Sequence, residues 1–184
     1  RSSNLFATDC LICALKRRKK RSRLTADLFF PSLSAQEQIP EFAVNTQATV
    51  LNYGAVRLRL EKLLLGVLTA KEPAQLQAAA KNIQELVSEV EQAQQNSQAK
   101  AFWVVLRAFV EGVANGSIAG HQYVKQIFGR INLQIRRLAE GSNSIPERLL
   151  RDALFFLAQV SAPTELISKV RRAYQLETQV PADY

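Results

Sequence analysis

The sequence predicts an all-α protein, folded as an antiparallel bundle of about six helices. Hydrophobic residues make up 47% of the 184 residues, which is enough for a packed core. The chain holds seven Gly and six Pro, too few for the many turns of an all-β domain. From residue 42 onward, apolar side chains recur at the three- and four-residue spacing of helices that face a core. The short connections between these stretches favour antiparallel packing.

The first two helices are separated by a break at residues 69–73, where Pro73 suits the first turn of the second helix. Each carries an apolar stripe that we expect to be buried. The stripes are Val56, Leu60, Leu63, Leu64 and Val67 in the first helix, and Leu76, Ala80, Ile83, Val87 and Val90 in the second. Glu89 and Glu91 are predicted to lie on the solvated side of the second helix.

The third and fourth helices are each followed by a glycine, which tolerates the left-handed conformation that often ends a helix. The third is predicted to stop at Asn115 and Gly116, and the fourth at Gly141. Their stripes are Phe102, Val105, Leu106, Phe109 and Val113 in the third helix, and Val124, Ile127, Phe128, Ile131, Ile135 and Leu138 in the fourth. Trp103 is predicted to lie on the flank of the third helix.

The fifth and sixth helices are predicted from proline-containing start signals. Residues 144–147, Ser-Ile-Pro-Glu, have the pattern of a capping box with Pro inside it, and Pro163 opens the sixth helix. The expected core residues are Leu150, Leu154 and Leu157 in the fifth helix, and Leu166, Val170 and Tyr174 in the sixth.

The chain divides into a connector at residues 1–41, a helical bundle at 42–176 and a C-terminal tail at 177–184. The connector contains an apolar strap, residues 28–33, that we expect to fold onto the bundle. Residues 1–23 hold eight of the 24 Lys and Arg residues, whereas residues 24–184 hold 16 basic and 15 acidic residues. The bundle therefore lacks the basic patch of a nucleic-acid-binding domain. The run Lys16–Arg23 is interpreted as a solvated linker, and binding to nucleic acid or a membrane surface is kept as an alternative.

Motifs of catalysis and metal binding are missing from the sequence. Cys10 and Cys13 form one CxxC pair, which cannot complete a four-ligand zinc site, and the lone histidine is distant. We expect reduced thiols and a cytoplasmic location. No Gly-rich phosphate loop, HExxH motif or nucleophile elbow is present, and no apolar run approaches the roughly 20 residues of a membrane helix. The prediction is a non-enzymatic segment without cofactor or metal.

His121 is the one residue that invites a chemical hypothesis. A phosphorylatable histidine in a helical phosphotransfer domain lies exposed midway along a helix, with a lysine and a small residue nearby. Lys125 follows four residues later and shares the helix face. However, His121 lies at the predicted helix start, and bulky Gln126 follows Lys125. We interpret His121 as a surface histidine, and phosphotransfer through His121 with Lys125 is the alternative.

Four segments resemble a known protein family, in the same order along the chain. They are residues 27–34 (DLFFPSLS), 101–105 (AFWVV), 131–138 (INLQIRRL) and 147–158 (ERLLRDALFFLA). They resemble the N-terminal region of ChpA/PilL-type hybrid histidine kinases, the CheA-like kinases of type IV pilus chemosensory systems, and the related scaffold protein FimL. The resemblance covers residues 24–176.

The resemblance implies a bundle like that of a histidine phosphotransfer (Hpt) domain, in a system that controls type IV pili and twitching motility. The HxxKG-type motif of active Hpt domains is missing, because His121 is followed by Val124 and Lys125. We therefore expect a non-catalytic, pseudo-phosphotransfer scaffold. Whether the parent is a full kinase or a stand-alone scaffold stays open.

The expected partners are proteins: other domains of the parent kinase, response regulators or pilus scaffold proteins. Nucleic acid and stable membrane insertion are not expected, and homodimerisation is left open. A docking surface on a helix face would use exposed aromatic or arginine side chains. The candidates are Trp103, Tyr123, Arg136, Arg137 and Arg151.

Overall fold

A computed structural model describes residues 40–47 and 50–176 of the chain. A short 3-10 helix, Pro40–Phe42, is followed by six α-helices in this described part. The α-helices are α1 (Tyr53–Thr69), α2 (Pro73–Gln92), α3 (Ser97–Ala114), α4 (Gln122–Ala139), α5 (Glu147–Ala158) and α6 (Glu165–Ala173). The predicted all-α fold with six helices is confirmed. The basic run, the apolar strap and the C-terminal tail lie outside the described residues.

Polar side chains fix the start of most helices by satisfying backbone N–H groups that have no partner within the helix. The side chain of Asn52 accepts from the N–H of Ala55 at the start of α1, and Asn96 accepts from the second and third residues of α3. Thr164 Oγ1 accepts from the N–H of Ile167 in α6. At α2, Gln75 Oε1 accepts from the N–H of Glu72, and Pro73 is the first helical residue, as predicted.

The capping box predicted for α5 is wrong. Pro146 itself occupies the N-cap position and provides no side-chain cap. The Oγ of Ser144 lies 3.1 Å from the Oγ of Ser142 and so is engaged in the preceding turn. The pattern Ser-Ile-Pro-Glu marked the correct place for the helix start but the wrong capping chemistry.

Two glycines end helices as the sequence predicted. Gly116 follows the C-cap of α3 with φ +83°, and Gly141 follows that of α4 with φ +85°. At Gly141 the chain reverses: its N–H donates to Leu138, and the N–H of Ser142 donates to Arg137. A residue with a Cβ is strained in this left-handed region, which explains glycine at both helix ends.

The third helix is the centre of the bundle. Helix α3 packs on α2, α5 and α6 and also on the 3-10 helix, whereas α1 packs on α2 and α4. Thirteen of the 18 residues of α3 are buried as a result. Lys125 near the start of α4 reaches Ala70 just after the end of α1, so α1 and α4 run antiparallel.

The apolar stripes predicted from the sequence form the core. All of their residues are buried except Leu63, Leu138 and Leu166, which are half-buried and pack against the core. Phe109 of α3 contributes aromatic contacts with Phe128 of α4 and Phe156 of α5, with ring centroids 5.8 and 6.0 Å apart.

Trp103 does not lie on an exposed flank, so the prediction that it belongs to a docking surface is wrong. Its side chain is 1% exposed, and its ring meets that of Phe102 edge to face, with centroids 5.5 Å apart. The physical reason is the central position of α3, which leaves this helix no solvated side along residues 100–106. A helix that is apolar all round is typically a buried one.

Candidate docking surface

His121 and Lys125 lie four residues apart near the start of α4, in different surroundings. His121 is the N-cap of α4, with an exposed side chain that makes no capping hydrogen bond. Lys125 is half-buried, and its Nζ donates to the carbonyl oxygen of Ala70 at 2.7 Å. The lysine charge is thus used to satisfy a carbonyl at the end of α1, where it also ties α1 to α4.

The outward side of α4 carries a continuous exposed surface. Positions three and four apart on a helix share a face. The residues of this surface, which we call the α4 outer face, are Gln126, Gly129, Leu133, Arg136 and Arg137, and all five are exposed. Leu133 retains 45% of its solvent exposure. An apolar side chain thus lies one helical turn before two arginines.

Gly129 leaves an open position on the α4 outer face. A Cβ placed at Gly129 would meet nothing within 4 Å, so no neighbouring helix requires the absence of a side chain there. Glycine in a helix interior costs about 0.5–1 kcal/mol relative to alanine. Because packing within the bundle does not explain this glycine, close approach of a partner is the alternative explanation.

The two arginines of the α4 outer face are available for ion pairs with a partner. The Nε of Arg136 lies 3.8 Å from Glu140, and its side chain is 55% exposed, so this contact is weak. Guanidinium groups bind carboxylates through two parallel hydrogen bonds, which gives such a surface a preference for acidic partners.

The other two candidates from the sequence, Tyr123 and Arg151, lie apart from Arg136 and Arg137. Tyr123 is 50% exposed and lies in the first turn of α4, on the flank of the α4 outer face. Arg130 of α4 pairs with Asp152 of α5 at 2.5 Å, and this ion pair joins the two helices beside that flank. Arg151 is half-buried on α5 and already takes part in an interaction of its own. The structure therefore clusters Arg136 with Arg137 but not with Arg151.

A buried ion cluster, which the sequence patterns did not predict, joins α2 to α3. Glu91 was predicted to be solvated, but it is 3% exposed, and that prediction is wrong. Its Oε1 lies 3.0 Å from the Nζ of Lys100, and its Oε2 lies 3.3 Å from the Nε of Arg107. The signal was present in the spacing, because Glu91 continues the stripe of Ile83 and Val87. The cluster joins α2 to α3 and is structural.

The part of the chain that the structure describes contains neither a candidate metal cluster nor a candidate membrane-spanning helix. Residues 40–47 and 50–176 contain no group of three or more His, Cys, Asp or Glu side chains that could hold a metal ion. Within the same part of the chain, each helix is too short or too polar to span a bilayer.

The comparison with protein families supplies the identification. Residues 45–184 match the family model described as the FimL scaffold protein second domain. The chain belongs to this family. The match includes all six helices and confirms the resemblance to FimL that the sequence motifs indicated. No curated protein and no solved structure matches the chain.

Membership of a scaffold protein family implies that this domain interacts with other proteins. The α4 outer face is the surface among the described residues that combines an exposed leucine, adjacent arginines and an unfilled glycine position.

Proposed function

We propose that this domain is a non-catalytic, pseudo-phosphotransfer docking module of a chemosensory system that controls type IV pili and twitching motility. In this proposal it binds response regulators or pilus scaffold proteins through the α4 outer face. The observation that carries the docking surface is the exposed Leu133 next to Arg136 and Arg137, with open space above Gly129.

The partner's chemistry follows from that of the α4 outer face. Burying the exposed part of Leu133 against an apolar side chain is favourable because it removes apolar surface from water. Acidic side chains around that contact would pair with Arg136 and Arg137. Interface cores are commonly enriched in arginine and large apolar residues and are surrounded by polar contacts.

Gly129→Gln is the sharpest test of this surface. The new side chain has space to form without disturbing the bundle, and replacing glycine in a helix stabilises it. It would also occupy the open space above Gly129 that the partner is proposed to enter. Ala78→Gln places the same side chain at an exposed small residue of α2 and is the matched control.

The full chain would be immobilised and exposed to an extract of cells that assemble type IV pili, and retained proteins would be identified by mass spectrometry. We expect the parent chain and Ala78→Gln to retain response regulators or pilus scaffold proteins, and Gly129→Gln to lose them. Loss is also expected when Arg136 and Arg137 are both changed to Ser. Equal retention by Gly129→Gln would refute the assigned surface, and absence of signalling or pilus proteins from the parent would refute the docking function.

The absence of phosphotransfer has a separate test. The chain would be incubated with an active CheA-type kinase core and ATP, and acid-labile phosphate would be measured. We expect no label on this domain, because Lys125 is held at Ala70. A label that disappears in His121→Gln would show a working phosphotransfer domain and overturn the non-catalytic proposal.

A further inference from the structure

The first and last helical elements of the described chain meet beside α3. Residues 40–42 form the 3-10 helix, which we call the clasp, and it packs on α3, as α6 does. Lys169 of α6 joins the two elements, because its Nζ donates to Glu41 Oε1 at 2.6 Å, across 128 residues of sequence. The N-terminal connector is therefore attached to the bundle beside its last helix.

The clasp is held to the bundle by few side chains. Phe42 is 3% exposed and belongs to the core, whereas Glu41 is half-buried. Of the residues that follow, 43 and 45–47 are exposed. Segments that bury few apolar groups open locally at the lowest free energy, so the clasp belongs to the weakly held part of the structure.

Helix α6 depends on its neighbours for stability. It has nine residues and is the shortest of the six α-helices. Isolated helices shorter than about 12–15 residues are marginal in water, so α6 needs its contacts with α3 and α5. Ile167 and Val170 are its fully buried side chains, and a Cβ at Gly112 of α3 would lie 3.5 Å from Ile167 Cδ1. If α6 left the bundle, this apolar part of α3 would be uncovered.

Two buried oxygen atoms weaken the closed arrangement of the clasp and α6. Glu41 Oε2 and the hydroxyl oxygen of Tyr174, the C-cap of α6, are buried without a hydrogen-bond partner among the described residues. A buried polar atom without a partner has lost its hydration and gained nothing in exchange, which destabilises the folded form. Opening returns both oxygens to water and so offsets part of the apolar contact that is lost.

We propose that the clasp and α6 form one releasable unit, in which detachment of the connector at residues 40–42 promotes the departure of α6 from α3. The ion pair between Glu41 and Lys169 couples the two movements. Displacing the connector thereby uncovers the surface of α3 around Gly112. This device goes beyond the docking function and does not depend on it, because it includes no residue of the α4 outer face.

Native-state hydrogen exchange of the full chain, resolved by residue with NMR, tests the coupling. The amides of residues 168–173 report the opening of α6, and those of α2 report the opening of the whole bundle. Phe42→Ala loosens the clasp, and we expect exchange in α6 to become about three- to fivefold faster, the size of effect that one ion pair near the surface can transmit, with α2 unchanged. Leu138→Ala, at the end of α4, is the control and should leave exchange in α6 at the parental rate.

Further variants separate this coupling from a general loss of stability. Lys169→Met removes the ion pair and should speed exchange in α6 by a similar factor. Adding Phe42→Ala to Lys169→Met should then change exchange in α6 no further, because the contact that transmits the loosening is gone. Tyr174→Phe removes the hydroxyl that lacks a partner and should slow exchange in α6 by about fivefold or more. Circular dichroism verifies that every variant is folded.

Three outcomes would overturn the proposal. The first is exchange in α6 of the parent that is as slow as in α2, because α6 would then open only when the whole bundle unfolds. The second is Phe42→Ala that leaves exchange in α6 unchanged, or whose effect simply adds to that of Lys169→Met, because the ion pair would then couple nothing. The third is Tyr174→Phe that does not slow exchange in α6.

Discussion

Replacing Glu91 by leucine is expected to destabilise the bundle strongly, because it leaves a buried positive charge without its counter-ion. Glu91 and Lys100 are 3% and 5% exposed, and the Nζ of Lys100 lies 3.0 Å from Glu91 Oε1. After the substitution, the remaining contact of Lys100 is a backbone carbonyl oxygen at 3.4 Å. Removing one partner of a buried ion pair costs about 3–5 kcal/mol, and we expect Glu91→Leu to fall in this range.

The reciprocal change should cost less. In Lys100→Met, Glu91 keeps Arg107, whose Nε lies 3.3 Å from Glu91 Oε2. We therefore expect a loss of about 1–3 kcal/mol. The double variant removes both deeply buried charges and replaces them with apolar groups of similar volume, which is often neutral or stabilising. Arg107 also loses the Glu91 carboxylate in the double variant, but its side chain is 24% exposed, so water can solvate its charge.

Urea unfolding at neutral pH of the parent, the two single variants and the double variant gives the complete thermodynamic cycle. We expect the free energy of unfolding to fall most in Glu91→Leu, less in Lys100→Met and least in the double variant. If Glu91→Leu cost less than about 1 kcal/mol, the ion cluster would not be desolvated as described. If the two single losses simply added in the double variant, the charges would not be coupled, and the reasoning would be refuted.

Three further predictions concern the ends and interiors of the helices. The hydrogen bond from Lys169 to Glu41, 2.6 Å long, holds the pKa of Glu41 below its ordinary value of about 4.3. The stabilisation from this ion pair is fully present above the ordinary pKa of Glu41 and is lost as the pH falls through the lowered pKa. Lys169→Met removes the pair, so the melting temperature of the variant should fall less between neutral and acid pH than that of the parent. An equal fall in both proteins would contradict this. Gly129→Ala should stabilise the protein by about 0.5–1 kcal/mol, because the new Cβ has open space around it. Gly112→Ala should destabilise the protein, because its Cβ would lie 2.7 Å from the buried side chain of Ile118. Urea unfolding measures both changes in free energy, and changes of the same sign would contradict this. Asn96→Ala removes the cap of α3 and should cost about 1 kcal/mol in the same measurement, and a loss of a few tenths or less would show that the cap is dispensable.

The helices and most of the core could be predicted from local signals. Apolar spacing located the stripes, and Pro73, Gly116 and Gly141 marked helix boundaries, because backbone restrictions at Pro and Gly operate without tertiary contacts. The scaffold family could also be recognised from the sequence, because its motifs consist of residue order alone and need no tertiary contacts. The capping box of α5 failed because a second hydroxyl, on Ser142, competes for Ser144.

The candidate site was predicted only in part. His121 was correctly expected at the start of α4, but the position of Lys125 depends on a carbonyl 55 residues earlier in the chain. Arg136 and Arg137 emerged on one surface, while the contributions of Leu133 and Gly129 were not anticipated. Whether a glycine is packed or open depends on neighbouring helices, which helical periodicity does not specify.

The sequence by itself determined the fold class, the number of helices, most of their limits and the family, since these follow from spacing and residue order. Only the tertiary structure decided which side of a helix meets a neighbour. Periodicity identifies one buried face, but α3 has neighbours on nearly every side and so buries Trp103, while α1 has few and leaves Leu58 and Leu65 in water. Glu91 is buried for the same reason, because the cations that neutralise it come from the next helix.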